Sequence, residues 1–268
     1  MIIGGKTFNT NEHCYVMGIL NVTPDSFSDG GRFNEIDKAL FHVEEMIADG
    51  MDIVDVGGES TRPGYTMISD DEEISRVVPV IEAIKNRFDI PISLDTYKSE
   101  VAKAGIVAGA DLINDIWGLK FDKKMAAVIA EADVACCLTH NRQEPNYVNY
   151  VPDLLCDLQE TVDIAKRAGI KDERIMLDPG VGFGKSYENN LEIINKLDVL
   201  KKFGYPILLG TSRKSVVGLT LDLPKDERVE GTLATTVIGI MRGASFVRVH
   251  DVKENVRIIK MSEAILKM

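Results

Sequence analysis

Arg174-Ile175-Met176-Leu177-Asp178-Pro179-Gly180 is a run of three apolar residues closed by a carboxylate and a turn. So short and apolar a run reads as a strand covered on both faces, because a strand with one wet face would alternate. Pro179 has no N–H to give to a ladder, so the strand stops and Asp178 stands at its end. The pattern recurs along the chain. Strands are predicted over residues 15–20, 53–56, 90–94, 111–113, 134–138, 175–177, 207–209 and 246–249, and helices over 36–49, 71–88, 154–168, 189–202 and 230–242. Gly50, Gly109, Gly169 and Gly204 fall near helix ends, where a left-handed residue is wanted. Strands alternating with helices and no break in composition predict one (β/α)8 TIM barrel over residues 1–268, with residues 1–10 as a β-hairpin cap on its floor. A doubly wound open sheet would carry a glycine fingerprint in its first turn, and Met17-Gly18-Ile19-Leu20-Asn21 has none.

In such a barrel the strand ends share one rim. Asn21, Asp55, Asp95, Asn114, His140, Asp178 and Arg248 all stand at or just past an apolar run, and the run at 207–209 is followed at once by Gly210-Thr211-Ser212-Arg213-Lys214-Ser215. A single such carboxylate would pass for a turn residue or a helix cap. The repetition predicts a polar pocket at the rim. Two segments, 21–35 and 57–70, are long for barrel loops and rich in Gly, Pro, Ser, Thr and Asp, so they are expected to lack regular structure and to cover the pocket.

Bulk properties narrow the partners. With 268 residues, 45% of them hydrophobic, the chain can bury a sizeable core; its net charge of −11 argues against nucleic acid or an anionic membrane as partner. Four cysteines form no C-x-x-C pair, there is no charged-then-apolar leader and no apolar run near membrane length, so a cytoplasmic location with reduced thiols is expected.

Gly180-Val181-Gly182-Phe183-Gly184-Lys185-Ser186 looks like a phosphate loop, but that motif needs glycine where Pro179 stands, and a dinucleotide fingerprint needs glycine at Lys185. Its glycines are expected to let backbone approach a ligand beside Asp178. Lys214 opens a helix whose N-terminus favours an anion, and its place beyond the strand suits a hydrogen-bond donor better than a Schiff-base nucleophile. Arg248 and His250 are two apart on a strand and face the same way. No zinc-type His/Cys cluster is evident, whereas Asn21 and nearby carboxylates could share Mg2+ with substrate phosphates.

Four pieces in order, Gly18 to Gly31, Asp55 to Gly64, Asp178 to Lys185 and Ser212 to Ser215, make the chain resemble the dihydropteroate synthase family from about Tyr15 onward. The resemblance implies a TIM-barrel transferase of folate biosynthesis, usually a homodimer. Such an enzyme joins 6-hydroxymethyl-7,8-dihydropterin pyrophosphate to 4-aminobenzoate and is a sulfonamide target. It implies pterin contacts at Asp95, Asn114, Asp178, Lys214 and Arg248, and pyrophosphate contacts at Asn21, Arg248 and His250, with Mg2+ at Asn21. Thr61, Arg62, Pro63, Phe183 and Ser212 would surround the aminobenzoate, and Asp29, Arg62 and Lys214 would serve the chemical step. Thr139, where the family more often has methionine, departs from the pattern without removing a charge. A methyltetrahydrofolate methyltransferase domain would want a corrinoid partner and would not need Thr61-Arg62-Pro63 or Ser212-Arg213-Lys214. A catalytically silent pterin-binding paralogue would be free to lose Asn21, Arg62, Lys214 and Arg248.

Overall fold

The computed structural model describes residues 1–23, 32–60 and 66–268, the first three of the second stretch by backbone alone. After a two-stranded antiparallel hairpin, β1 (Ile2–Ile3) and β2 (Lys6–Thr7), come eight parallel strands: β3 (Tyr15–Asn21), β4 (Ile53–Gly57), β5 (Ile92–Asp95), β6 (Leu112–Asp115), β7 (Ala135–Thr139), β8 (Ile175–Asp178), β9 (Leu208–Leu209) and β10 (Phe246–Val249). Neighbours in sequence pair from β3 to β8, and β10 pairs with both β3 and β9. The remaining seam, between β8 and β9, is closed by the Leu177 N–H, which donates to Pro206 O at 3.0 Å, and by a bridge from Leu177 to Ile207. The result is the expected (β/α)8 barrel with its N-terminal hairpin.

Helices α1 (Arg32–Ala48), α2 (Asp70–Arg87), α3 (Ser99–Ala108), α4 (Met125–Ala132), α5 (Tyr150–Ala168), α6 (Tyr187–Asn195), α7 (Ser215–Leu221) and α8 (Val229–Arg242) connect the strands, and α9 (Val252–Leu266) follows the last of them. All four helix-end glycines named above have positive φ, and Asp133 and Asp222 close α4 and α7 in the same conformation without glycine. Two expectations need correction. Helix α1 begins at Arg32, inside the stretch expected to be irregular; its first turn carries Glu35, which the helix dipole favours, and so adds a turn ahead of Ile36, where the helix was expected to start. The helix expected over 189–202 is two elements. A capping box at Ser186 and Asn189 starts α6 early, and a 3-10 helix runs over Leu197–Phe203, where buried Leu197 and Leu200 are three apart, the spacing that stacks on one face at three residues per turn.

Strand alternation separates two cores. One layer, between sheet and helices, holds Val54, Leu94, Ile113, Cys136 and Leu177. The other lies inside the barrel and holds Met17, Ile53, Leu112, Cys137, Met176, Leu208 and Phe246, plugged from below by Ile3 and Phe8 of the hairpin. Adjacent Cys136 and Cys137 thus face opposite sides. The inner layer sets the site, because the residue two positions further along each strand points into the barrel above it: Asp55 above Ile53, Asn114 above Leu112, Asp178 above Met176, Arg248 above Phe246.

Phe8 is buried, edge-on to Tyr15 at 4.8 Å and 5.6 Å from Phe246. Removing such a ring leaves a cavity under the inner layer, so Phe8→Ala should cost about 3–5 kcal/mol in urea unfolding. A loss below about 1 kcal/mol, well short of ordinary core truncations, would mean that the hairpin does not plug the barrel.

Candidate active site

A cavity of about 830 Å³ opens at the C-terminal mouth of the barrel. Asn21, Asp95, Asn114, Asp178, Phe183, Ser212, Lys214, Arg248 and His250 all line it, from β3, β5, β6, β8 and β10 and the turns after β8 and β9. Asp29, Thr61, Arg62 and Pro63 lie outside the described residues. Ile19, Ile116 and Val181 supply apolar wall, and Thr139 lines the cavity as well.

Arg248 organises the floor. Its Nε donates to Asp55 Oδ2 and its Nη2 to Asp95 Oδ2, each at 2.6 Å. Asp55 is fully buried and also accepts from Ser93 Oγ at 2.5 Å and from Asn114 Nδ2 at 3.5 Å. Burial opposes the Arg248 charge, but the two carboxylates override it and hold the guanidinium pKa above its ordinary value. Asp95 is pushed up to about 7, by burial first, against the pull of Arg248, with Asp55 and Glu73 adding repulsion. Its Oδ1 is buried with no hydrogen-bond partner among the described residues. An unsatisfied buried carboxylate oxygen costs about 1–3 kcal/mol or more and calls for a donor.

Asp178 and Lys214 form the opposite wall. Asp178 Oδ1 accepts from the Gly180 N–H at 2.6 Å, which fixes the carboxyl plane, and burial raises its pKa against the pull of Lys214. Lys214 Nζ donates to Val181 O at 2.5 Å and stands 4.7 Å from the centroid of the Phe183 ring. Burial lowers its pKa to about 8, with Asp178 opposing that shift. Its neighbour Arg213 has φ 56°, strained for a side-chain-bearing residue; an N–H bond to Thr232 Oγ1 at 3.1 Å and a two-pronged ion pair with Asp251 hold it. Helix α7, which this turn opens, has seven residues, so its dipole offers less than the sequence suggested.

Ser212 Oγ accepts the His250 N–H at 3.1 Å and lies 3.0 Å from His250 Nδ1. Burial and the nearby Arg248 and Arg213 charges lower His250 to about 3. The ring is therefore neutral, and a hydroxyl proton given to Nδ1 leaves Nε2–H as the remaining donor.

The glycine turn after β8 differs from expectation. Gly180 and Gly184 do permit close approach, but to protein: a Cβ at Gly180 would sit 1.8 Å from His140 O, and one at Gly184 2.2 Å from Arg142 O. Lys185 turns to His140 and is not among the cavity-lining residues, consistent with the failed phosphate-loop spacing. Sequence reasoning also missed lining residues. Arg228, before α8, donates to the carbonyls of Arg213 and Lys214; Arg76, from α2, donates to Gly58 O. Neither follows a strand, so no positional signal marked them. Glu59 belonged to a recognised motif but carried no assigned role; it meets Lys98 at 2.6 Å behind the wall.

Comparison with known proteins agrees with this geometry. Residues 17–250 match the family model described as "Pterin binding enzyme". The chain is 64% identical, over the full length of both, to the dihydropteroate synthase of Clostridium beijerinckii. To that of Bacillus subtilis it is 56% identical, over 95% of this chain and 90% of the relative. The crystal structure of the Clostridium difficile dihydropteroate synthase in the presence of pteroic acid superposes with TM-score 0.95 at 49% identity, over 98% of this chain and all of the other. The Xanthomonas albilineans enzyme with 4-aminobenzoic acid gives 0.91 at 39%, over 96% and 94%. With its rim Arg248 paired to two carboxylates, an unsatisfied Asp95 oxygen and the Asp178–Lys214 wall, and with this similarity to those relatives, the chain belongs to the pterin-binding enzyme family, as one of its dihydropteroate synthases.

Proposed function

We propose that this chain is a transferase of folate biosynthesis that condenses 6-hydroxymethyl-7,8-dihydropterin pyrophosphate with 4-aminobenzoate to 7,8-dihydropteroate and pyrophosphate. The observation that carries this reading is the unpartnered Asp95 Oδ1, buried in a cavity it shares with Asp178 and Lys214. A pterin edge alternates N–H donors with carbonyl and imine acceptors. Asp95 and Asp178 suit the donors, Lys214 the ring acceptors, and Asn114 both kinds. The apolar walls suit the flat ring.

In the reaction the bond from the pterin methylene to the pyrophosphate oxygen breaks, the pterin delocalises the positive charge, and the amine of 4-aminobenzoate bonds to the methylene with loss of one proton. Carboxylates on the pterin side favour that charge, and Arg248 with the His250 Nε2–H favours the leaving group, so fixed electrostatics carry the step and no general base is assigned. No three His, Cys, Asp or Glu side chains converge as a metal site among the described residues, while Asn21 offers a carboxamide oxygen at the mouth. Mg2+ usually keeps waters and takes further ligands from substrate phosphates, so this donor set fits an ion that shares Asn21 with the pyrophosphate. Such an ion would neutralise leaving-group charge. Phe183 and Ser212 are read as walls for 4-aminobenzoate, which makes the chain a sulfonamide target.

The reading includes a homodimer in the cytoplasm. Helices α8 and α9 pack together and leave Ile238, Met241, Met261 and Ile265 exposed, apolar surface that a second copy would cover. Four unpaired cysteines suit a reducing compartment, and no helix among the described residues is long and apolar enough to cross a membrane.

Purified protein mixed with the pterin pyrophosphate, Mg2+ and 4-aminobenzoate should release dihydropteroate; none formed by folded protein would overturn the assignment. Asp178→Asn should weaken pterin binding by about 1–3 kcal/mol, since an amide presents N–H where the ligand also donates, with thermal unfolding little changed; calorimetric affinity equal to wild type would remove Asp178 from the site. Because the ammonium of Lys214 is the better donor and loses its proton near pH 8, pterin affinity should fall as pH rises through about 8, and Lys214→Met should flatten that profile. A profile unaltered in the variant would assign the titration elsewhere. Light scattering should give twice 29.6 kDa for the native chain and a lower mass for Met241→Glu; a native monomer contradicts the dimer.

A further inference from the structure

A second cluster of polar groups, built around buried His140 with Lys185, Arg142, Tyr147 and Asp157 partly buried about it, lies behind the cavity wall, between the loop after β7 and the turn after β8. Lys185 Nζ is 2.8 Å from His140 Nδ1, 3.3 Å from His140 O and 2.9 Å from Phe183 O. These three partners match the three N–H bonds of an ammonium, although burial lowers the Lys185 pKa to about 7 with Asp178 opposing. His140 can accept at Nδ1 because it is neutral: burial lowers its pKa to about 4 although Asp157 opposes this, with Nε2 2.9 Å from Asp157 Oδ2. Arg142 Nε donates to the same Asp157 oxygen at 2.6 Å, and Tyr147 OH donates to Gly184 O at 2.8 Å. The close approach of Gly180 to His140 O and of Gly184 to Arg142 O sets this support directly against the turn.

The other face of the same turn seats Lys214, through Val181 O and the Phe183 ring. Phe183 thus carries both connections, its carbonyl held by Lys185 and its ring lying beside Lys214. We propose that Lys185 is a positioning residue: by tying the Phe183 carbonyl to His140 it fixes the segment from Val181 to Phe183, and through that segment the point at which Lys214 meets the pterin. The proposal rests on the reading of Lys214 as a pterin donor. A lysine that only stabilised the fold would show no dependence on Lys214.

A double-variant cycle separates the two roles. Lys185→Met keeps chain length and removes all three hydrogen bonds; Lys214→Gln keeps an amide donor, so binding stays strong enough to titrate. Calorimetry with 6-hydroxymethyl-7,8-dihydropterin should show Lys185→Met binding about tenfold more weakly than wild type, and no further loss when it is added to Lys214→Gln, because residues acting through one contact are not additive. His140→Phe, which keeps a ring and removes the acceptor, should behave in the same way and decides the matter if Lys185→Met does not fold. Affinity unchanged in the folded variant, or an equal tenfold loss in the Lys214→Gln background, would make Lys185 a packing residue and overturn the proposal. Dihydropteroate formation measured on the same wild-type preparation tests the reaction separately, so failure of either reading is recognised on its own.

Discussion

The site depends on a partly buried guanidinium held between two buried carboxylates. Arg248 has Asp55 and Asp95 within 2.6 Å, from three different strands, and taking such charges out of water is tolerable only when each is closely paired. That requirement fixes the relative heights of β4, β5 and β10, and with them the carboxyl planes. It also leaves Asp95 Oδ1 over, an acceptor held by the ion pair but not used by it. Removing one partner of a buried pair typically costs about 3–5 kcal/mol, so the arrangement is a constraint on the fold as much as a binding device.

The rest of the barrel supports that floor from two directions. Below, the apolar inner layer and the hairpin exclude water from the side opposite the ligand. Beside it, two turns that strain or close approach would otherwise disfavour are held by groups around them: Arg213 by Asp251 and Thr232, and the Gly180–Gly184 turn by His140, Arg142 and the adjoining Lys185. Each turn presents a pocket residue, Lys214 or Phe183, whose position follows from contacts outside the cavity.

Much of this was legible in the sequence because two simple rules coincide. Short apolar runs, read as strands covered on both faces of a parallel barrel, each with a polar residue at or just past its end, marked Asp95, Asn114, Asp178 and Arg248 as neighbours in space. The rule failed where its premises did. Asp55 was marked with the other strand-end residues but does not line the cavity: it lies beneath it, fully buried, and its pairing with Arg248 needs the register of the closed barrel. Arg76 reaches the cavity from helix α2 and Arg228 from the residue before α8, where nothing in the local pattern points at a pocket. The break between Asn195 and Leu197 is invisible because α and 3-10 helices both bury residues three apart. Glycines at 180 and 184 signalled close approach, but sequence does not say to what, and the partner proved to be protein backbone.

The most direct test of this account is a crystal structure of the chain with pteroic acid. Asp95 Oδ1 and Asp178 should accept the pterin N–H groups and Lys214 should donate to a ring acceptor, while Arg248 keeps both carboxylate partners. A pterin bound elsewhere, or an Asp95 Oδ1 still without a donor in the complex, would contradict it.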